Sequence, residues 1–120
     1  MDHDILLAKL NKYGLRGISA QLIENYLSDR KQITVVNGSH SNLENVRCGV
    51  PQGSILGPLF FSIYINYLPN ISSSQVRLFA DDACFIYKNK NISQLEQNVN
   101  LELIKINDWL KINKLSINYS

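Results

Sequence analysis

Near the start of the chain, Leu6, Leu7, Leu10 and Tyr13 recur at the three-and-four spacing that turns one face of a helix towards a core. Asp2 or Asp4 can cap its start and Gly14 can take the left-handed conformation that ends it, which predicts a helix over Asp4 to Tyr13. Leu22, Ile23, Tyr26 and Leu27 repeat the pattern and predict a second helix over Ser19 to Asp29, with Ser19 as its cap. The β-branched run Lys31 to Val36 breaks at Asn37-Gly38, a strong turn dipeptide, and with Leu43 to Arg47 predicts a hairpin. Leu59 to Leu68 is almost wholly apolar, follows a loop rich in glycine and proline, and predicts a buried helix. Val76 to Ala80 and Ala83 to Lys88 predict a tight hairpin with Asp81-Asp82 at its apex. Beyond Asn91 the apolar positions 92, 95, 99, 103, 106 and 110 predict a long helix with Ser93 and Glu96 as a capping box, and Leu115 to Asn118 begins a candidate strand. The fold class that follows is α+β, with antiparallel hairpins and helices packed on one side of the sheet.

Composition narrows the setting without naming a chemistry. The 120 residues are 45% apolar and 18% charged, enough for one domain to bury roughly two thirds of its unfolded surface. Twelve Lys and Arg against ten Asp and Glu give a net charge of +2, so any polyanion site must be local. The longest apolar stretch, Ile55 to Leu68, is interrupted by Gly57, Pro58, Ser62 and Asn66 and falls short of a membrane span. The segment Met1 to Asp4 does not read as a secretory signal, nothing implies an oxidising compartment, and Cys48 and Cys84 are expected as free thiols. Asn-x-Ser triplets at Asn37, Asn70, Asn91 and Asn118 are chance matches in a chain with fourteen Asn and twelve Ser.

Two segments carry candidate chemistry. Asp81 and Asp82 interrupt a local sequence, Leu78 to Ala80 and Ala83 to Tyr87, that is otherwise apolar. At about 4 Å and an effective dielectric near 20 their carboxylates repel by about 4 kcal/mol, which calls for a cation, a proton or turn hydrogen bonds. Oxygen-only ligands suit Mg²⁺, which keeps waters and binds substrate phosphates; a solvated turn is the plainer reading of the dipeptide by itself. In Gly49 to Pro58, glycines allow close backbone approach, Pro51 stiffens the loop, Gln52 can add a hydrogen bond, and Ser54 before a helix leaves N–H groups for an anion. An ordinary loop ahead of a helix fits equally, and the glycine spacing matches neither a Walker loop nor a dinucleotide fingerprint.

Together and in this order, Gly49-Val50-Pro51-Gln52-Gly53-Ser54-Ile55-Leu56-Gly57-Pro58-Leu59-Phe60-Phe61 and Phe79-Ala80-Asp81-Asp82 resemble the reverse transcriptase of non-LTR retrotransposons, particularly the Jockey-like group. The resemblance extends to Asp2-His3-Asp4-Ile5-Leu6-Leu7, to Tyr26-Leu27-Ser28-Asp29-Arg30-Lys31-Gln32, and to Trp109 with Asn113-Lys114-Leu115-Ser116-Ile117-Asn118, so it covers the whole chain. It implies residues 1–120 as a partial palm of a right-hand RNA-directed DNA polymerase, in which two divalent ions, Mg²⁺ or Mn²⁺, serve nucleotidyl transfer. Asp81 takes the role of the catalytic metal-binding carboxylate and Asp82 that of its partner. Phe79 and Ala80 are expected beside the primer terminus, and Pro51, Gln52, Gly53 and Ser54 on the nucleotide and template side. RNA template, DNA primer and deoxynucleoside triphosphates are the implied partners.

By the same register the family's first metal-binding aspartate precedes Met1, and neither Asp2 nor Asp4 replaces it. Tyr67 stands where an Asp is common and Ala83 where a Thr is common. The isolated chain is therefore expected to be inactive and, with a sheet edge uncovered, to self-associate. The alternative is a non-catalytic remnant or adopted module that binds nucleic acid or protein. His3 and His40 are expected to be solvated, and Trp109 to pack in the core rather than stack on a base. Arg16, Arg30, Lys12 and Lys31 could touch a nucleic-acid backbone, although such scattered charges usually form solvated faces.

Overall fold

The computed structural model describes residues 1–51 and 53–117, in two compact units, Met1–Gly57 and Pro58–Ser120. In the first unit, α1 (His3–Lys12) starts at Asp2, whose side chain accepts from the Ile5 N–H, and buries Leu6 and Leu10. It ends in a Schellman turn: the Leu15 N–H returns to the Leu10 carbonyl and the Gly14 N–H to Asn11, with Gly14 at φ 92°. The second helix, α2 (Ile18–Leu27), is capped not by Ser19 but by Gly17, whose φ of 61° and ψ of −137° place the chain where a side chain is disfavoured. Of its expected face, Leu27 is buried and Ile23 and Tyr26 are half-buried, whereas Leu22 is exposed.

The next hairpin is stepped rather than continuous. Strands β2 (Val35–Val36) and β3 (Ser39–His40) flank Asn37-Gly38, both at positive φ, while β1 (Lys31–Gln32) pairs with β4 (Glu44–Asn45). The pairs Gln32↔Glu44 and Val35↔His40 leave one more residue on the returning side than on the outgoing side, so the ladder bulges between them. Ser41 fills the gap: its Oγ accepts the Thr34 N–H at 2.9 Å and its own N–H donates to the Thr34 carbonyl.

In the second unit the apolar tract is displaced from its expected bounds. Helix α3 (Leu56–Ile65) begins before the unit boundary and is followed by a 3-10 turn at Leu68–Asn70. It is not buried all round: Phe60, Tyr64 and Leu68 form an inward stripe at a spacing of four residues, with Ile65 beside it, while Leu59 and Tyr67 face out. Strands β5 (Gln75–Phe79) and β6 (Asp82–Ile86) pair antiparallel, and α4 (Ile92–Ile112) closes the unit. The cap of α4 is Asn91, whose side chain accepts from the Ser93 and Gln94 N–H groups, so no capping box forms at Ser93. A Schellman turn ends it, with Lys114 at φ 50° and the Leu115 N–H on the Leu110 carbonyl. Residues 115–117 form no strand, and Asn118 lies outside the described residues.

Leu68, Ile106 and Trp109 make the buried cluster of this unit, with Leu78 and Phe85 of the hairpin packed against it. Trp109 is thus a core residue, as its position beside Leu110 and the apolar stripe predicted. Tyr64 donates its hydroxyl to the Asn113 carbonyl at 2.6 Å, and Asn113 Nδ2 donates to the Trp109 carbonyl, tying α3 to the end of α4. The chain is α+β, with small antiparallel hairpins and four α-helices among the described residues. No helix among the described residues is long and apolar enough to cross a membrane.

Candidate active site

The double aspartate sits at the turn of the β5–β6 hairpin, in a slightly different register from the expected one. The last pair of the ladder is Phe79↔Asp82, which leaves Ala80 and Asp81 as a two-residue turn and makes Asp82 the first residue of β6. Ala80 takes φ 52° while Asp81 does not share the positive φ, the pattern of a type II′ turn that suits the twist of a hairpin. Asp81 therefore projects from the tip and Asp82 lies one step down the strand.

Alternation assigns the rest. The pairs Val76↔Phe85 and Leu78↔Ala83 put these four residues on the face that meets the Leu68–Ile106–Trp109 cluster. Arg77, Phe79, Asp82 and Cys84 share the opposite face, and all are exposed, Phe79 to 82%. Phe79 is one of several large apolar side chains left open among the described residues, Ile18, Ile55 and Ile92 being as exposed. Cys48 and Cys84 are free thiols, as expected.

The expected nucleotide-side loop belongs to the first unit. Gly49, at φ 80°, is held by the start of the chain: its N–H donates to the Met1 carbonyl at 2.7 Å and its carbonyl accepts from His3 Nε2 at 2.7 Å. His3 is consequently a half-buried structural donor and not a solvated side chain, which its distance in sequence from Gly49 concealed. A turn follows, closed by the Ser54 N–H on the Pro51 carbonyl. Ser54 Oγ accepts the Gly57 N–H at 3.0 Å, so the hydroxyl already serves one of the free donors at the start of α3. A Cβ on Gly57 would lie 3.0 Å from Ser54 Oγ and 3.1 Å from Val50 Cγ2, which explains a glycine inside the first turn. Gly53 is exposed at φ 77°, and Gln52 lies outside the described residues. Phe79, Ala80, Asp81 and Asp82 are thus brought together in one unit, and Pro51, Gly53 and Ser54 in the other.

One group that sequence reasoning missed is Glu102, on α4. It is 6% exposed although charged, and it accepts the Ser73 N–H at 3.0 Å and the Lys105 ammonium at 2.9 Å. Hydrogen bonds from Lys105, Ser72 and Ser73 hold its carboxyl at about 2, below the ordinary value of 4.5 and against the opposing effect of burial. The apolar stripe read from the sequence runs through Leu103, which is exposed; the buried face of α4 passes one position earlier, through Glu102, and then Ile106 and Trp109.

Among the described residues no group of three or more His, Cys, Asp or Glu side chains is placed to hold a metal ion. Asp81 and Asp82 are the oxygen donors of the kind a hard divalent cation takes, Mg²⁺ being commonly held by one or two carboxylates with waters and substrate phosphates completing its shell.

Comparison with known proteins agrees with the family resemblance. The chain is 29% identical over 104 residues to a protein named probable RNA-directed DNA polymerase from transposon X-element of Drosophila melanogaster, covering 82% of the chain. It is 28% identical over a 130-position alignment to the corresponding protein of transposon BS from the same organism, covering 97% of the chain. It is 29% identical over 106 residues to the RNA-directed DNA polymerase from mobile element jockey of Drosophila funebris, covering 82% of the chain. The chain spans 12 to 14% of the length of these curated relatives. No solved structure matches it. The reverse transcriptase (RNA-dependent DNA polymerase) family model matches residues 1–120, and the chain belongs to that family.

Proposed function

We propose that residues 1–120 are a central palm segment of a retrotransposon polymerase that copies RNA into DNA. The observation that carries this reading is the Ala80-Asp81-Asp82 turn, exposed at the end of a hairpin whose other face is packed, in a chain matched along its whole length by the family. Asp81 is the metal-binding catalytic carboxylate and Asp82 its partner. A divalent ion bound there supplies charge stabilisation of the transferring phosphoryl group and activation of the primer hydroxyl. Asp81 and Asp82 orient that ion with their oxygens, and Phe79 and Ala80 lie beside the primer end. Pro51, Gln52, Gly53 and Ser54 border template and nucleotide. The first aspartate of the set comes from the segment that the resemblance places ahead of Asp2. RNA template, DNA primer and deoxynucleoside triphosphates are the partners, with Mg²⁺ or Mn²⁺ as the ion.

Two adjacent carboxylates do not by themselves fix two ions, and positioning is most of the catalysis in this chemistry. The 120-residue chain alone is therefore expected to extend no primer. The test is RNA-templated primer extension with a polymerase-length protein that carries this segment. Asp81→Ala should abolish synthesis and Asp29→Ala should change it little; synthesis that survives Asp81→Ala would rule the assignment out, and so would extension by the 120-residue chain that Asp81→Ala abolishes.

A further inference from the structure

Glu102 stands where the α4 stripe otherwise buries apolar groups, and what it binds is the base of the aspartate hairpin. Its Oε2 takes the Ser73 N–H at 3.0 Å and its Oε1 the Lys105 ammonium at 2.9 Å. The neighbouring serines continue the connection: Ser72 Oγ accepts the Ser74 N–H at 3.0 Å, shares a hydrogen bond with Ser74 Oγ at 2.7 Å, and lies 3.4 Å from the Tyr87 hydroxyl. Ser74 immediately precedes β5 and Tyr87 immediately follows β6, whose first pair is Gln75↔Ile86. Both strands thus leave from one polar knot centred on a helix carboxylate.

We propose that Glu102 is a positioning residue for the Asp81–Asp82 tip, setting the angle at which the hairpin leaves α4. This rests on the reading of the tip as the metal-binding end. At about 3.3 Å per residue the tip lies roughly 20 Å from Ser74, so a tilt of about 5° at the base displaces it by about 2 Å. A misplacement of about 1 Å at reacting atoms can cost about a hundredfold in rate. A two-stranded ribbon has little stiffness of its own, and Leu78 and Phe85 secure only its packed face. An ammonium alone would not do this work: Lys105 neutralises the carboxylate from the solvent side, while the Ser73 N–H is the contact that reaches the strand.

Amide hydrogen exchange of a polymerase-length protein that carries this segment, read without metal or nucleotide at a temperature where its helical spectrum is unchanged, tests the proposal. In Glu102→Met, which keeps the length of the side chain but has no oxygen to accept the Ser73 N–H, the exchange of residues 75–86 should rise about tenfold or more, while residues 103–112 change less than about threefold. Lys105→Met, which keeps the Ser73 contact, should have a smaller effect on the hairpin. Equal acceleration of hairpin and helix would mean that Glu102 only adds global stability, and an unchanged hairpin would mean that it holds nothing; either overturns the proposal. Should Glu102→Met fail to fold, Glu102→Asp decides by the same comparison, because its carboxylate is one methylene too short to reach the Ser73 N–H. In the same protein supplied with metal, primer, template and nucleotide, the proposal expects Glu102→Met to lower kcat with nucleotide KM unchanged, and an unchanged kcat would overturn it. Because exchange is read without substrate, its failure is distinct from failure of the catalytic assignment, which Asp81→Ala decides.

Discussion

Ala80 shows how much a single residue can be asked to bear at the tip. Its φ of 52° lies in the region that disfavours a Cβ, and a β-branched side chain is worse there than alanine. Ala80→Val should lower stability by about 1 kcal/mol or more, read as a shift in the denaturant midpoint. Asp81 projects into solvent from the same turn, so Asp81→Ala should leave stability within about 0.5 kcal/mol, a contrast that separates a catalytic role from a structural one. Glu102 behaves oppositely. Its folded-state carboxyl titrates at about 2 against an ordinary 4.5, so its contribution is complete above the ordinary value and is lost as pH falls towards the folded one. Thermal unfolding followed from about pH 5 down to about pH 2 should therefore fall more steeply in the wild type than in Glu102→Gln.

The elements divide into those legible in the sequence and those that needed three dimensions. Periodicity located α1, α2 and α4, and the Asn-Gly and Asp-Asp turns located both hairpins, because these signals are local. Caps proved less legible. Ser19 and Ser93 both looked suitable, yet Gly17 and Asn91 hold the positions, since backbone angle and the placement of the first helical residue decide among neighbouring candidates. Asn91→Ala should cost about 1 kcal/mol and Ser93→Ala much less, measured as chemical denaturation midpoints. The apolar tract misled in another way: with polar residues nearly absent from it, it could not show which face is buried, and Leu59 and Tyr67 are exposed. Partners far apart in sequence, such as His3 with Gly49, Tyr64 with Asn113 and Glu102 with Ser73, leave no periodic trace at all.

At the scale of the whole molecule, the chain carries much uncovered apolar surface. Ile33, Val35, Val36 and Leu43 of the first hairpin are exposed, as are Phe79 and Ile86 of the second, and β5 and β6 pair only with each other among the described residues. Unpaired strand edges beside such side chains favour association. Light scattering at micromolar concentration should show the 120-residue chain self-associating, whereas a monodisperse monomer would contradict this; the unfolding measurements on the Ala80, Asn91 and Glu102 variants therefore belong in a polymerase-length protein that carries this segment. The family and the order of its motifs were legible from two short segments, because glycine, proline and paired aspartates in apolar surroundings are hard to place for packing reasons alone. The central claim is that Asp81 and Asp82 hold the divalent ion, and iron-directed cleavage tests it most directly. With Fe²⁺ replacing Mg²⁺ in a polymerase-length protein bound to primer, template and nucleotide, oxidant should cut the backbone around Phe79 to Ala83, and Asp81→Ala should remove those cuts. Cleavage centred elsewhere, or unchanged by Asp81→Ala, would contradict the account.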